Sequence, residues 1–116
     1  MAMLLLAGTA TAQTPPAGST TFSFNGQSPV ESEHFHTNAS GATEQLRIRT
    51  TITGTDAGDK VKICIRKTDG SLETCYTVEN DKTTGADDDR TISLNAGYQV
   101  TIDEVTGSGP SEGWVQ

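Results

Sequence analysis

Apolar residues in this chain recur at every second position in short runs, and no stretch of helical spacing is long enough to cover a sheet. Leu46, Ile48, Thr50 and Ile52 share one parity, while Gln45, Arg47 and Arg49 take the other. Val61, Ile63 and Ile65 alternate with Lys62, Cys64 and Arg66; Leu72, Thr74, Tyr76 and Val78 alternate with Glu73, Cys75 and Thr77. Phe22 and Phe24 begin the series, Ile92, Leu94, Tyr98, Val100 and Ile102 continue it, and Trp114 marks a last strand. Each run is greasy on one side only, which gives sheets with one buried and one wet face and therefore antiparallel pairing. The expected fold is all-β: a small antiparallel β-sandwich, jelly-roll or Greek-key-like, of roughly seven or eight strands. The many threonines and the 12 glycines suit strands and the turns between them.

With 116 residues the chain has room for one core. Met3 to Ala7 is a short apolar run, and Ala10-Thr11-Ala12 offers the small residues that signal peptidase accepts, although no Lys or Arg precedes the run and the first positive charge is Arg47. The expectation is a signal peptide over 1–12, a linker over 13–20 and a single sandwich domain over 21–116, placed in the periplasm or secreted. No stretch is apolar for long enough to form a membrane-spanning helix, so no membrane span is expected after cleavage. Eight basic against 15 acidic residues give a net charge of −7, which disfavours nucleic acid because phosphate binding needs clustered cations.

The segment Val61 to Val78 reads as a hairpin around Asp69-Gly70, a dipeptide suited to tight turns. A turn centred there sets Cys64 opposite Cys75, Arg66 opposite Glu73, Ile63 opposite Tyr76 and Val61 opposite Val78. The expected disulfide between Cys64 and Cys75 lies on the polar face beside Lys62 and Arg66, and a four-residue loop Thr68 to Ser71 gives the closer, non-hydrogen-bonded spacing. A redox dithiol is the other reading, but such pairs sit closer in sequence.

Two clusters have metal-ligand chemistry. His34 and His36 flank Phe35, and on a strand this spacing projects both imidazoles to one side, with Glu31 and Glu33 nearby. Asp87, Asp88 and Asp89, with Glu79 and Asp81 before them, concentrate oxygen ligands but lack the alternating spacing of a calcium loop, and read as a solvated acidic loop. Asp56 and Asp59 read as turn residues. No resident cofactor is expected, with calcium or a transition metal at these clusters as the alternatives. There is no Gly-x-Ser-x-Gly elbow and no Gly-rich phosphate loop, and six aromatic residues leave few to spare for sugar platforms. No catalytic residue is assigned and the chain is not expected to be an enzyme. Asn38-Ala39-Ser40 forms a glycosylation sequon.

Three segments carry a family resemblance: Gly26 followed by Glu33-His34-Phe35-His36; Leu46-Arg47-Ile48 with Asp59 to Ile65 and Asp69-Gly70; and Ile92 to Ile102, where Ala96-Gly97-Tyr98 leads into a strand. Together they are similar to the bacterial pre-peptidase C-terminal domain, a small jelly-roll-like sandwich of exported proteins. The cysteine pair and the shortened last strand Gly113-Trp114-Val115-Gln116 depart from that family's pattern. The resemblance implies secretion and adhesion to polymers, sometimes with calcium. The function expected first is a non-enzymatic secreted or periplasmic binding or adhesion module for a protein or extracellular polymer. Behind it stand an extracytoplasmic metal-binding protein using the His-x-His strand and an accessory domain of a secreted hydrolase.

Overall fold

A computed structural model of the chain describes residues 14–25, 33–53, 56–81, 83–107 and 110–116, without the side chains of residues 25 and 33–35. The proposed signal peptide lies outside these residues, as do Gly26 and Glu31. The described residues form eight strands: β1 (Thr20–Asn25), β2 (Glu33–Thr37), β3 (Glu44–Ile52), β4 (Lys60–Lys67), β5 (Leu72–Glu79), β6 (Ala86–Leu94), β7 (Tyr98–Thr106) and β8 (Pro110–Val115). One sheet runs β1-β8-β3-β6 and the other β2-β7-β4-β5, with every pairing antiparallel. First pairs with last, second with seventh, third with sixth and fourth with fifth, so a long hairpin is folded over on itself; this is the jelly-roll wiring of a sandwich. Among the described residues no helix is long and apolar enough to cross a membrane.

The alternation read from the sequence builds the core. Leu46, Ile48 and Ile52 of β3, Val61 and Ile63 of β4, Val78 of β5, Leu94 of β6, Val100, Ile102 and Val105 of β7 and Val115 of β8 pack with Phe22 into one buried cluster. Gly113 stands between Phe22 and Thr50 in the ladder, where a Cβ would strike the Phe22 ring and the Arg49 carbonyl. The residue is glycine because an aromatic ring from the next strand occupies its side-chain space.

Three local expectations are corrected. The β4–β5 register holds from Lys60 opposite Glu79 to Ile65 opposite Thr74, then slips so that Arg66 pairs with Leu72, not Glu73. The slip accompanies the loop: Gly70 takes a positive φ of 95° and donates its N–H to the Lys67 carbonyl at 2.8 Å, which leaves Thr68 to Ser71 as the four-residue connection. Arg66 turns instead to the Asp103 carboxylate and the Gly70 carbonyl. Second, Asp87, Asp88 and Asp89 are not a solvated loop but part of β6, opposite Thr51, Thr50 and Arg49. A strand tolerates three consecutive acids here because arginines across the ladder and along the strand neutralise them. Third, the disulfide on the polar face is only partly wet: Cys64 is fully buried although it stands outside the core cluster, and Cys75 is half-buried.

Candidate binding groove

Of the metal-ligand candidates, His36, Asp87, Asp88 and Asp89 are drawn into other contacts, while the side chain of His34 lies outside those described. In β2 the register shifts between His34, opposite Thr101, and His36, opposite Val100. Two residues of β2 therefore advance by one of β7, so this stretch of backbone carries a bulge. The His36 imidazole pairs through Nε2 with Glu44 Oε1 at 2.5 Å, joining an edge of one sheet to the start of β3 in the other. Arg47 grips both oxygens of Asp89 at 2.9 and 2.6 Å. Arg49 spans Asp87 and Asp89, and Thr51 Oγ1 donates to Asp87 at 3.1 Å. Asp88 turns to Arg90 on its own strand through two bonds of 2.8 and 2.9 Å. Hydrogen bonding from Arg47 holds the Asp89 carboxyl below its usual range. Among the described residues no three His, Cys, Asp or Glu side chains gather as metal ligands. The sequon asparagine is structural as well: Asn38 is 1% exposed, donates to the Ala42 and Leu94 carbonyls at 2.7 and 2.8 Å, and accepts from Ser40.

Cys64 and Cys75 are joined as a disulfide, with Cα atoms 4.0 Å apart. Such bonds persist in oxidising surroundings. The bond ties β5, an edge strand with a single sheet neighbour, to β4 in the middle of its sheet.

One opening lies where the two sheets gape. β5 and β6 are the edges of opposite sheets on the same side of the sandwich, and between them opens a groove of about 440 Å³ lined by Ile65, Glu73, Thr74, Ile92, Ser93, Asn95 and Tyr98. Its floor comes from half-buried apolar side chains that fringe the core, Ile65, Ile92 and Tyr98 among them. At the rim the Tyr98 hydroxyl faces Glu73 Oε1 at 3.4 Å. Further along the mouth, the Arg90 guanidinium lies 3.6 Å from the centre of the Tyr76 ring and bridges the sheets. Burial drives the Tyr76 phenol well above its usual range, the nearby Arg90 charge opposes this, and Asp88 adds to it. The phenol is neutral, and its buried oxygen has no hydrogen-bond partner among the described residues.

A second, smaller cleft of about 260 Å³ lies on the outer face of the other sheet, lined by Pro15, Thr21, Ser23, Arg49, Thr51, Glu112 and Trp114 among others. Its chemistry is largely spent. Trp114 is only 4% exposed, with Arg47 5.3 Å from its ring centre, so the indole offers no open platform, and Arg49 is held by two carboxylates. The groove between the edges has an apolar floor, a polar rim and a volume of the order that small ligands and side chains occupy.

Sequence reasoning placed Ile65, Thr74, Ile92 and Tyr98 on the inner faces of their strands without bringing them together. The signal that separates them from the core residues is position at the fringe of two different sheets, which only the topology supplies.

No family model matches the sequence, and no curated protein matches it. Among solved structures the chain is similar to Arthrobacter globiformis T6 isomalto-dextranase in complex with panose, at 16% identity and a TM-score of 0.41 over 90% of this chain and 17% of that one. It is also similar to arabinose-bound MgGH51 α-L-arabinofuranosidase, at 9% identity and a TM-score of 0.37 over 86% of this chain and 18% of that one. The chain thus spans under a fifth of the length of either enzyme. Similarity on this scale assigns neither a family nor an activity.

Proposed function

We propose that this chain is a non-enzymatic binding or adhesion module that works outside the cytosol and holds its ligand in the groove between β5 and β6. The observation that carries the reading is the groove itself: an apolar floor of Ile65, Ile92 and Tyr98 left open between two sheet edges, beside a Glu73 carboxylate that accepts a long hydrogen bond from Tyr98. Such a site suits a ligand that brings apolar groups together with donors or positive charge. The disulfide and the signal-like N-terminus support an oxidising, extracytoplasmic setting. The sequence resemblance to an exported sandwich family favours the same assignment.

The test compares retention of the protein on immobilised chitin, cellulose, peptidoglycan and displayed peptides with that of two variants. Ile92→Asp puts a charge on the groove floor; Thr91→Asp changes the opposite, exposed face of the same strand. The ligand retained by the parent should be held at least tenfold more weakly by Ile92→Asp and unchanged by Thr91→Asp, with both variants shown folded by their melting curves. Retention indifferent to Ile92→Asp, or no retention on any matrix, contradicts the assignment.

A further inference from the structure

The two strands that bound the groove differ in what their backbones leave open. Cys64 and Cys75 stand opposite each other with Cα atoms 4.0 Å apart, the spacing of a non-hydrogen-bonded pair. The adjoining bond agrees with that phase, because the Asn80 N–H donates to the Asp59 carbonyl at 2.8 Å. Thr74, Tyr76 and Val78 therefore spend their backbone groups on β4, whereas Cys75, Thr77 and Glu79 direct theirs outward. Among the described residues β5 has no second neighbour in its sheet. A row of outward N–H and C=O groups is a template for another strand unless charge, proline or a bulge guards it. On β6 a guard is present in the run Asp87-Asp88-Asp89-Arg90; β5 between Thr74 and Val78 carries no charge and no proline.

The electrostatics narrow the occupant. The net charge is −7, and all four arginines, Arg47, Arg49, Arg66 and Arg90, are already bound to aspartates. Outside those pairs the remaining 11 of the 15 carboxylates stand against four lysines, so the balance of charge is negative; on β5 Glu79 lies opposite Lys60, whereas Glu73 sits at the register slip beside the Tyr98 hydroxyl. A second copy would bring the same acidic strand and the same −7 against it, so self-pairing is repelled. An extended segment with positive side chains is attracted.

Resting on the groove as the binding site, we propose that the partner is an extended peptide segment of alternating cationic and apolar residues, which adds to the free edge of β5 as a fifth strand. Main-chain bonds to Cys75, Thr77 and Glu79 hold it, and its inward side chains settle beside Thr74 over the floor of Ile65 and Ile92. The disulfide then has a function beyond stability. It fixes the docking strand to β4 without using any backbone group of the outer edge.

The probe is an acetylated, amidated nine-residue peptide of alternating Lys and Val, titrated into the 15N-labelled, oxidised protein. At saturation the amides of Cys75, Thr77 and Glu79 should exchange at least tenfold more slowly, while Thr74, Tyr76 and Val78, already bonded, change little. A peptide of alternating Glu and Val should bind at least tenfold more weakly, and N-methylation of the Lys-Val peptide along one edge should abolish binding. Thr77→Pro removes an outward N–H without costing a bond to β4, so a folded Thr77→Pro protein should lose the peptide at least tenfold. The exchange and N-methyl results stand without that variant. Peptide that perturbs Ile92 and Tyr98 but leaves Cys75, Thr77 and Glu79 exchanging freely, or binds regardless of charge or N-methylation, overturns strand addition and leaves the groove as a site. No perturbation of the groove by the peptide overturns strand addition too, and retention that is also indifferent to Ile92→Asp removes the groove reading with it.

Discussion

β5 and β6 face each other across the same opening, and each hangs on a single neighbour, yet they are secured by opposite means. β6 pairs with β3 over nine positions and is held from the outer face by an ionic ladder in which Arg47 and Arg49 interleave with Asp87 and Asp89. β5 pairs with β4 over seven positions and is held by one covalent bond. Charges placed on an edge both bind the strand and repel newcomers, whereas a disulfide binds it and leaves the outer backbone available. The difference teaches that two facing edges can be held in place by different means, one by charged side chains and the other by a covalent bond that uses no backbone group.

The largest effect that separates the two edges comes from replacing Cys64 and Cys75 with alanine. Sequence separation of 11 residues gives a cross-link contribution of about 2 to 3 kcal/mol, seen as a lower denaturation midpoint. Exchange should quicken across β5 and stay as it was across β6; equal loosening of both would erase the distinction. Next comes Arg49→Ala, which removes the bridge between Asp87 and Asp89 and leaves Asp89 to Arg47 and Asp87 to Thr51. The pairs are partly exposed, so about 1 kcal/mol is expected, shrinking as salt screens the parent's ladder. Its exchange signature should fall on β6 and spare β5. Tyr76→Phe removes a buried hydroxyl that has no partner while keeping the ring beneath Arg90, and should leave stability unchanged or raise it by up to about 1 kcal/mol. A loss greater than that means the hydroxyl is bonded in solution.

The smallest effect is in acid. Asp89 has its pKa depressed in the folded chain by Arg47, so its contribution is fully present above the ordinary value of 3.8 and is lost as pH falls below that value toward the lowered one. Loosening in that window should begin in β6. The disulfide does not titrate, so β5 should follow only with global unfolding.

Much of the frame was legible because its determinants are local. Alternation gave the strands and their inner faces, and Asp69-Gly70 gave the hairpin and hence the partnership of Cys64 with Cys75. Readings failed where a residue answers to something distant or to a bulge. Asp87 to Asp89 look like a loop until Arg47 and Arg49, some 40 residues earlier, stand beside them. The register slip in β2 between His34 and His36 leaves no mark in composition. The slip near Gly70 moves Arg66 from Glu73 to Asp103, a residue of β7 that no hairpin argument reaches. The groove was illegible for the same reason: Ile65, Ile92 and Tyr98 belong to three strands of two sheets, and inner parity alone does not say which inner residues lie at the margin.

Residue-resolved amide exchange on the oxidised protein, with no ligand present, tests the open edge of β5 most directly. A sawtooth is predicted, with Cys75, Thr77 and Glu79 exchanging fast and Thr74, Tyr76 and Val78 slowly. Uniform protection along β5 would mean that its outer edge is already covered, and would contradict the account.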